Sequence, residues 1–71
     1  MNGITQLKDK VTENLLQDSR LEDYPIDVLN NNGIITLSGE VASRELAEAA
    51  EAIARQTQGV IAVMNEIVIN K

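Results

Sequence analysis

The chain of 71 residues contains no cysteine and no histidine. Without thiols it can form neither a disulfide nor a thiolate metal site. Without imidazole it lacks the commonest metal ligand and the usual general base near neutral pH. We therefore expect a protein that is not an enzyme, with no catalytic residue, no cofactor-binding residue, no metal ligand and no small-molecule substrate.

Aromatic and basic residues are also scarce. Tyr24 is the only aromatic residue, and six basic residues stand against eleven acidic ones, which gives a net charge of −5. Nucleic-acid-binding proteins usually present a basic stripe and aromatic platforms for base stacking. The basic residues of this chain are scattered, so nucleic acid is not an expected partner.

Long apolar runs are missing, although apolar residues make up 44% of the chain. No run approaches the ~20 residues that a membrane-spanning helix requires. The first residues lack the basic flank and the apolar stretch of a signal peptide. The chain as given is therefore expected to be cytoplasmic and to form a single domain over residues 1–71, with a core of Ile, Leu, Val and Ala.

Two segments show the periodicity of amphipathic helices. The first covers about residues 5–19, and Thr5 is its predicted N-cap. The second covers about residues 44–58, between Ser43 as the predicted N-cap and Gly59 as the stop signal. The predicted apolar stripes are Leu7, Val11 and Leu15 on the first helix and Leu46, Ala49, Ala50, Ile53 and Thr57 on the second.

Three segments alternate apolar and polar residues, as half-buried strands do. The first follows Pro25, the second covers residues 34–41, and the third covers about residues 60–70. Asn32-Gly33 favours a two-residue type I′ hairpin turn between the first two, with a four-residue loop as the alternative. Both registers keep the same side chains on the inner face. The predicted inner rows are Ile26 and Val28, then Ile35, Leu37, Gly39 and Val41, then Val63, Asn65, Ile67 and Ile69.

The order of elements is α-β-β-α-β. A strand, a helix and a second strand in series normally cross over right-handed and pair in parallel. The second strand then lies centrally, antiparallel to the first and parallel to the third. The sequence therefore predicts a two-layer α/β sandwich, in which both helices cover one face of a three-stranded mixed sheet and the other face is open.

Two stretches of the sequence resemble a BON domain, the bacterial module named for osmotically inducible and nodulation proteins. The first is residues 33–41, GIITLSGEV. The second is the Gly59-Val60 pair followed by Val63 and Asn65, which is similar to the closing pattern of that family. The resemblance extends over nearly the whole chain and includes the expected order of helices and strands.

The resemblance implies a non-catalytic binding or adaptor module of the bacterial envelope, associated with phospholipid and with osmotic stress, and hence a periplasmic or envelope location. The acidic balance of the chain predicts that binding to a phospholipid membrane surface is weak. The alternative is a protein–protein interaction or self-assembly module, oligomeric or bound to another protein, that uses the open face of the sheet without lipid.

Four apolar residues are predicted to point outward on the open face. Leu29, Ile34 and Met64 come together at the hairpin end, and Val68 lies further along among polar residues. Several apolar side chains next to one another begin to suggest a partner. These four residues form the candidate interaction face.

Four other residues are predicted to have structural roles. Gly33 is assigned to the turn, and Gly59 ends the second helix. Gly39 leaves room for close approach, either of a helix packed tightly on the sheet or of a ligand, and the helix is the favoured interpretation. Asn65 is a buried polar specificity device or, as favoured, bonds the backbone where the last strand begins.

Overall fold

The computed structural model describes residues 6–70 and shows the predicted order of elements. Its two helices and its three-stranded mixed sheet confirm the predicted fold class. The elements are α1 (Leu7–Leu16), β1 (Ile26–Asn31), β2 (Ile34–Val41), α2 (Arg44–Gln56) and β3 (Ala62–Ile69).

The sheet has the order β1-β2-β3, with β2 in the centre. β1 pairs antiparallel with β2, and Asn31 lies opposite Ile34. This is the register of the two-residue turn, so the four-residue alternative was wrong. Asn32 and Gly33 have φ angles of 55° and 92°, the positive values that a type I′ turn requires. β3 pairs parallel with β2, as the crossover rule predicts.

Within the described residues α1 is shorter than predicted. Thr5, the predicted N-cap, lies outside the described residues, and Gln6 occupies the cap position without a side-chain hydrogen bond. The helix ends at Leu16 instead of Ser19. The cause is Asp18, whose carboxylate accepts a hydrogen bond of 2.9 Å from the backbone N–H of Arg20. This local bond stabilises a turn and competes with a further helical turn.

α2 begins as predicted and ends two residues early, at Gln56 instead of Gln58. Ser43 is its N-cap, and its hydroxyl accepts from the backbone N–H of Leu46 at 3.3 Å. At the other end Thr57 leaves the helical conformation with ψ at 126°. The Thr57 hydroxyl donates to the Ile53 carbonyl at 3.1 Å and accepts from the side chain of Asn14 at 2.9 Å. The same side chain thus ends α2 and joins it to α1.

The core lies between the two helices and one face of the sheet. Its fully buried side chains come from every layer, and α2 contributes small residues that let it approach the sheet closely. Around this centre lies a rim of half-buried residues, all of which are predicted core residues except Val60. The buried apolar residues are Val11, Leu15, Leu21, Ile35, Leu37, Val41, Ala47, Ala50 and Ala54. The half-buried rim is Leu7, Ile26, Val28, Leu46, Ile53, Val60, Val63, Ile67 and Ile69.

Two parts of this core differ from the prediction. Ala50 and Thr57 of the predicted α2 stripe are buried, but Leu46, Ala49 and Ile53 are only half-buried. Ala47 and Ala54 are buried instead, because the helix is rotated to bring its smallest side chains onto the sheet. Leu21, which was not among the predicted core residues, is 1% exposed and joins the core from the polar connection between α1 and β1.

Candidate functional site

The open face of the sheet is formed by the side chains that point away from the helices. The register places Leu29 opposite Thr36, and Thr36 opposite Met64 on its other side. Ile34 lies one rung nearer the hairpin turn, beside Ala62. Leu29, Ile34 and Met64 are 63%, 38% and 52% exposed. The structure thus places these three candidate residues on neighbouring rungs at one end of the face.

Ile61 extends this apolar end and was missed by sequence reasoning. It is 77% exposed, and its side chain lies over Gly33, where an added Cβ would come within 2.7 Å of Ile61 Cδ1. The carbonyl of Gly33 accepts from the N–H of both Ile61 and Ala62, which makes the start of β3 irregular. The signal in the sequence was the Val60-Ile61 pair, because two consecutive side chains of an extended chain cannot both point inward.

We define the apolar half of the open face as Leu29, Ile34 and Met64, and Ile61 lies beside it at the hairpin end. The other end is the acidic half, with exposed Asp27, Glu40 and Glu66. Val68 is exposed there, directly opposite Glu40. The structure therefore separates Val68 from the other three candidate residues. None of the outward-pointing side chains of the three described strands is basic.

All three predicted structural glycines have positive φ angles, which favour glycine. The N–H of Gly33, in the turn, donates to the Asn30 side chain at 2.9 Å. Gly39 has a φ of 141°, and an added Cβ would lie 2.7 Å from the carbonyl oxygen of Pro25. The close approach at Gly39 is therefore to the segment before β1, not to a helix, and that part of the prediction was wrong. Gly59 lies in the turn between α2 and β3.

Asn65 bonds the backbone, but not where the last strand begins. Its Nδ2 donates to the carbonyl of Ala47 at 3.0 Å and to Glu51 Oε1 at 3.3 Å. Its Oδ1 accepts from the N–H of Ile67 at 3.0 Å. The side chain therefore connects the interior of β3 to α2, on the covered side of the sheet.

A shallow cavity of about 380 Å³ lies where α2 ends and β3 begins. Arg55 forms one wall, and Val60, Ile61, Ala62 and Val63 form the other. The Arg55 guanidinium contacts Glu51 Oε2 at 3.0 Å and its side chain remains largely exposed. Ile61 therefore borders both this cavity and the apolar half of the open face.

The shorter of the two ion pairs found within residues 6–70 lies away from these surfaces. The Arg20 side chain donates to Asp18 at 2.8 and 3.1 Å, and its backbone N–H donates to the same carboxylate. These side-chain and backbone hydrogen bonds lower the pKa of Asp18 to about 2. The same contact raises the pKa of Arg20. The pair belongs to the turn after α1 and has a structural role there.

No three carboxylate, imidazole or thiol side chains within residues 6–70 lie close enough together to hold a metal ion. Neither described helix has the length and apolar character needed to cross a membrane.

The comparisons with known proteins give one match. Among curated proteins none matches the chain. The model of the BON domain family matches residues 4–71, which is nearly the whole chain. Members of that family are generally non-catalytic binding modules. The observed order of elements and the match over this length agree, and the chain therefore belongs to the BON domain family.

Proposed function

We propose that this domain is a non-catalytic docking module that captures another protein through the open face of its sheet. Membership of the BON family supports a binding module of that kind. The observation that carries the proposal is the apolar half, in which Leu29, Ile34 and Met64 are exposed on neighbouring rungs with no charged side chain between them.

The size of the apolar half supports this use. Single exposed apolar side chains are common on any protein surface and carry no information. Leu29, Ile34 and Met64 lie around Thr36, and Ile61 lies beside them at the hairpin end. Together the four exposed side chains approach the few hundred Å² (about 300 Å²) at which a patch suggests a partner. A partner that covers this patch removes apolar surface from water, which is the main driving force of association.

The acidic half defines the chemistry of the partner. Asp27, Glu40 and Glu66 face solvent beside the apolar half, and no basic side chain of the described strands balances them on that face. Two copies stacked with their strands aligned would bring like charges together, which costs free energy. The complementary surface is therefore apolar with a basic flank, and it belongs to a different protein.

The test begins with partner capture from a native cell extract and continues with the purified pair. Ile34→Glu and Met64→Glu each place a charge in the apolar half. Each is therefore expected to raise the dissociation constant of the purified pair by at least about tenfold. Val68→Glu is the matched control, because it adds the same charge to an exposed position in the acidic half of the same face. Circular dichroism checks that all three variants remain folded.

Equal affinity of folded Ile34→Glu and the unchanged protein for the purified partner would contradict the proposal. The partner should also bind more weakly at high salt, because screening reduces the attraction between the acidic half and its basic flank. Light scattering of the isolated domain tests the alternative occupant. If the isolated domain is a dimer and the Ile34→Glu variant is a monomer, the face binds a second copy instead.

Phospholipid is the second candidate, and it is the one that the family resemblance implies. The specific observation in its favour is the apolar character of the hairpin end, where Ile61 and Leu29 are the two most exposed large apolar side chains. Such side chains can insert at an interface, whereas the net charge of −5 repels anionic headgroups. Binding should therefore be weak and should not favour anionic lipid.

Co-sedimentation with vesicles tests this second candidate. Vesicles of phosphatidylcholine alone are compared with vesicles that contain one third phosphatidylglycerol, at low and at high salt. Equal and small bound fractions are expected, and Ile61→Ser should reduce both. Tight, salt-sensitive sedimentation with the anionic vesicles alone would contradict the charge argument.

A further inference from the structure

β3 is an edge strand, and one side of its backbone has no neighbouring strand among the described residues. The N–H groups of Ala62 and Asn70 point to β2, where they bond the carbonyls of Gly33 at 3.5 Å and Val41 at 2.8 Å. Backbone groups of alternate residues point to opposite sides of a strand. The odd-numbered residues of β3, from Val63 to Ile69, therefore direct their N–H and C=O groups to the free edge.

The C-terminal part of this free edge is closed by side chains. The outward N–H of Ile67 donates to Asn65 Oδ1 at 3.0 Å. Asn65 Nδ2 in turn contacts Glu51 Oε1 at 3.3 Å, and Glu51 Oε2 contacts Arg55 at 3.0 Å. Natural sheets block free edges in order to prevent uncontrolled strand pairing. Here the block acts at Ile67, and within residues 6–70 no side chain bonds the outward backbone groups of Val63 and Asn65 in the same way.

The open part of the edge coincides with the cavity between α2 and β3. Val63 lines that cavity, together with Arg55 and the exposed Ile61. Outward-facing backbone groups, apolar walls and one cationic side chain thus occur at one place. Main-chain hydrogen bonding combined with side-chain pockets is the way in which sheet edges recognise extended peptides.

We propose that the N-terminal half of the β3 edge binds an extended segment of another protein as a fourth strand. The segment pairs with the N–H and C=O groups of Val63 and Asn65 and stops before Ile67. One of its side chains fills the cavity, which suits an aliphatic group. A carboxylate of the segment, at a side chain or at the chain end, contacts the guanidinium of Arg55.

Charge favours an occupant that carries a carboxylate, and geometry excludes a second copy paired about Asn65. Arg55 has five N–H donors and uses only part of them on Glu51, so it can still bind a carboxylate. Symmetric antiparallel pairing of two β3 strands about Asn65 would require the N–H of Ile67 to pair with Val63 of the other copy. That N–H is already bonded to Asn65. A segment of a different protein can pair with Val63 and Asn65 alone.

The added strand uses the edge of the sheet, so this inference goes beyond the proposed docking on the open face. It survives if the open face turns out to bind nothing. It can also be wrong while the proposed function is right, because the open face could bind a folded partner while the β3 edge binds no peptide.

The experiment selects binders from a display library of random ten-residue peptides, presented both with a free C-terminus and as internal segments. The best selected peptide is then synthesised and added to the ¹⁵N-labelled domain. Hydrogen exchange should slow most at the N–H groups of Val63 and Asn65. Those of Ala62 and Met64, which already point to β2, should change much less.

Three variants locate the binding. Arg55→Gln removes the cation at an exposed position and should raise the dissociation constant of the peptide by about tenfold. Ile61→Lys should raise it by a similar factor. Leu16→Lys, an equally drastic change at an exposed site on α1, should leave it unchanged. Val63→Pro removes the outward N–H without removing a bond to β2 and should abolish binding, provided that circular dichroism shows it to be folded.

Further peptides and one control complete the design. Amidating the C-terminus and replacing each acidic side chain by its amide identify which carboxylate Arg55 holds. Ile34→Glu should bind the peptide normally, which separates this inference from the proposed function. The inference is overturned if the library enriches no peptide, if protection appears outside residues 61–67, or if Arg55→Gln and Ile61→Lys bind unchanged.

Discussion

The two faces of the sheet are built from the same strands and from similar residues, yet their surroundings are opposite. On β2, Ile35 and Leu37 are completely buried, whereas their neighbour Ile34 is exposed to solvent. On β3, half-buried Val63 alternates with exposed Met64. The helices make the difference, because they cover only one face. Apolar side chains on the covered face stabilise the fold, and those on the open face remain available for a partner.

The way in which α2 covers the sheet sharpens this contrast. Its buried residues are Ala47, Ala50 and Ala54, and their small side chains let the helix backbone approach the strands. The larger side chains Leu46 and Ile53 lie at the rim of the core. The covered face therefore depends on close packing of small groups against large ones, whereas no described element packs on the open face. Substitutions on the two faces should have very different effects on stability.

The largest contrast is expected from removing a leucine on each face. Leu37→Ala deletes a fully buried side chain and leaves a cavity, so it should reduce the free energy of unfolding by about 2–5 kcal/mol. Leu29→Ala makes the same change on the open face and should cost less than about 0.5 kcal/mol. Chemical denaturation of both variants measures the difference. Equal losses would mean that the two faces are not distinguished by burial.

A substitution that adds volume should change stability differently on the two sides of α2. Ala50→Leu places a larger side chain against the sheet and should destabilise the domain by about 1–3 kcal/mol through overpacking. Ala52→Leu adds the same atoms to the exposed side of the helix and should be nearly neutral. Thermal melts of the pair give the comparison. A tolerated Ala50→Leu would show that the helix can move away from the sheet without loss.

Asn65 tests whether one polar side chain holds the covered face together at its edge. Asn65→Ala leaves the carbonyl of Ala47 and the N–H of Ile67 without this partner and should cost about 1–2 kcal/mol. Asn65→Asp keeps the acceptor for Ile67 but loses the donor to α2 and faces Glu51. Hydrogen exchange at Ile67 should therefore accelerate in the alanine variant more than in the aspartate variant. Identical exchange rates would contradict this division of roles.

The smallest effect is expected at Asp18, which lies away from both faces. Its pKa is lowered to about 2 by Arg20, so the folded state favours the charged carboxylate. The resulting stabilisation is present above the ordinary pKa of 3.8 and is lost as the pH falls towards 2. Asp18→Asn should therefore lower the melting temperature slightly at pH 6.

The effect of Asp18→Asn should shrink as the pH falls below 3.8 and be mostly lost near pH 2, where about half of the Asp18 carboxylate of the unchanged protein is protonated. Arg20→Gln is the control that removes the other partner of the same contact, and it should show the same dependence on pH. Melts at several pH values between 6 and 2 measure both variants. A difference between the unchanged protein and Asp18→Asn that stays constant across this range would assign the effect to something other than ionisation.

The sequence allowed some features to be predicted because they depend on local chemistry. Asn32-Gly33 can adopt the positive φ angles of a type I′ turn at little cost, so the hairpin and its register followed from two residues. Ser43 is an N-cap because its hydroxyl reaches an amide three residues along the chain. The alternation of apolar residues assigned each strand residue to a face, since successive side chains point to opposite sides.

Other features could not be read from neighbouring residues. The exposure of Ile61 depends on the carbonyl of Gly33, which belongs to a turn far away in the sequence. Leu21 is buried in spite of its polar neighbours because the turn after α1 folds it under the helix layer. The close approach at Gly39 involves Pro25, and only the pairing of β1 with β2 brings these two residues together.

By itself, the sequence determined the elements, the turn and the inward or outward direction of each strand residue, because these follow from backbone chemistry over a few positions. Tertiary structure alone decided the rotation of α2, the bond from Asn65 to the Ala47 carbonyl of α2, and the contact of Ile61 with the Gly33 turn. Each of these depends on contacts between segments distant along the chain. Such contacts exist only after the helices have docked on the sheet, so no local pattern records them.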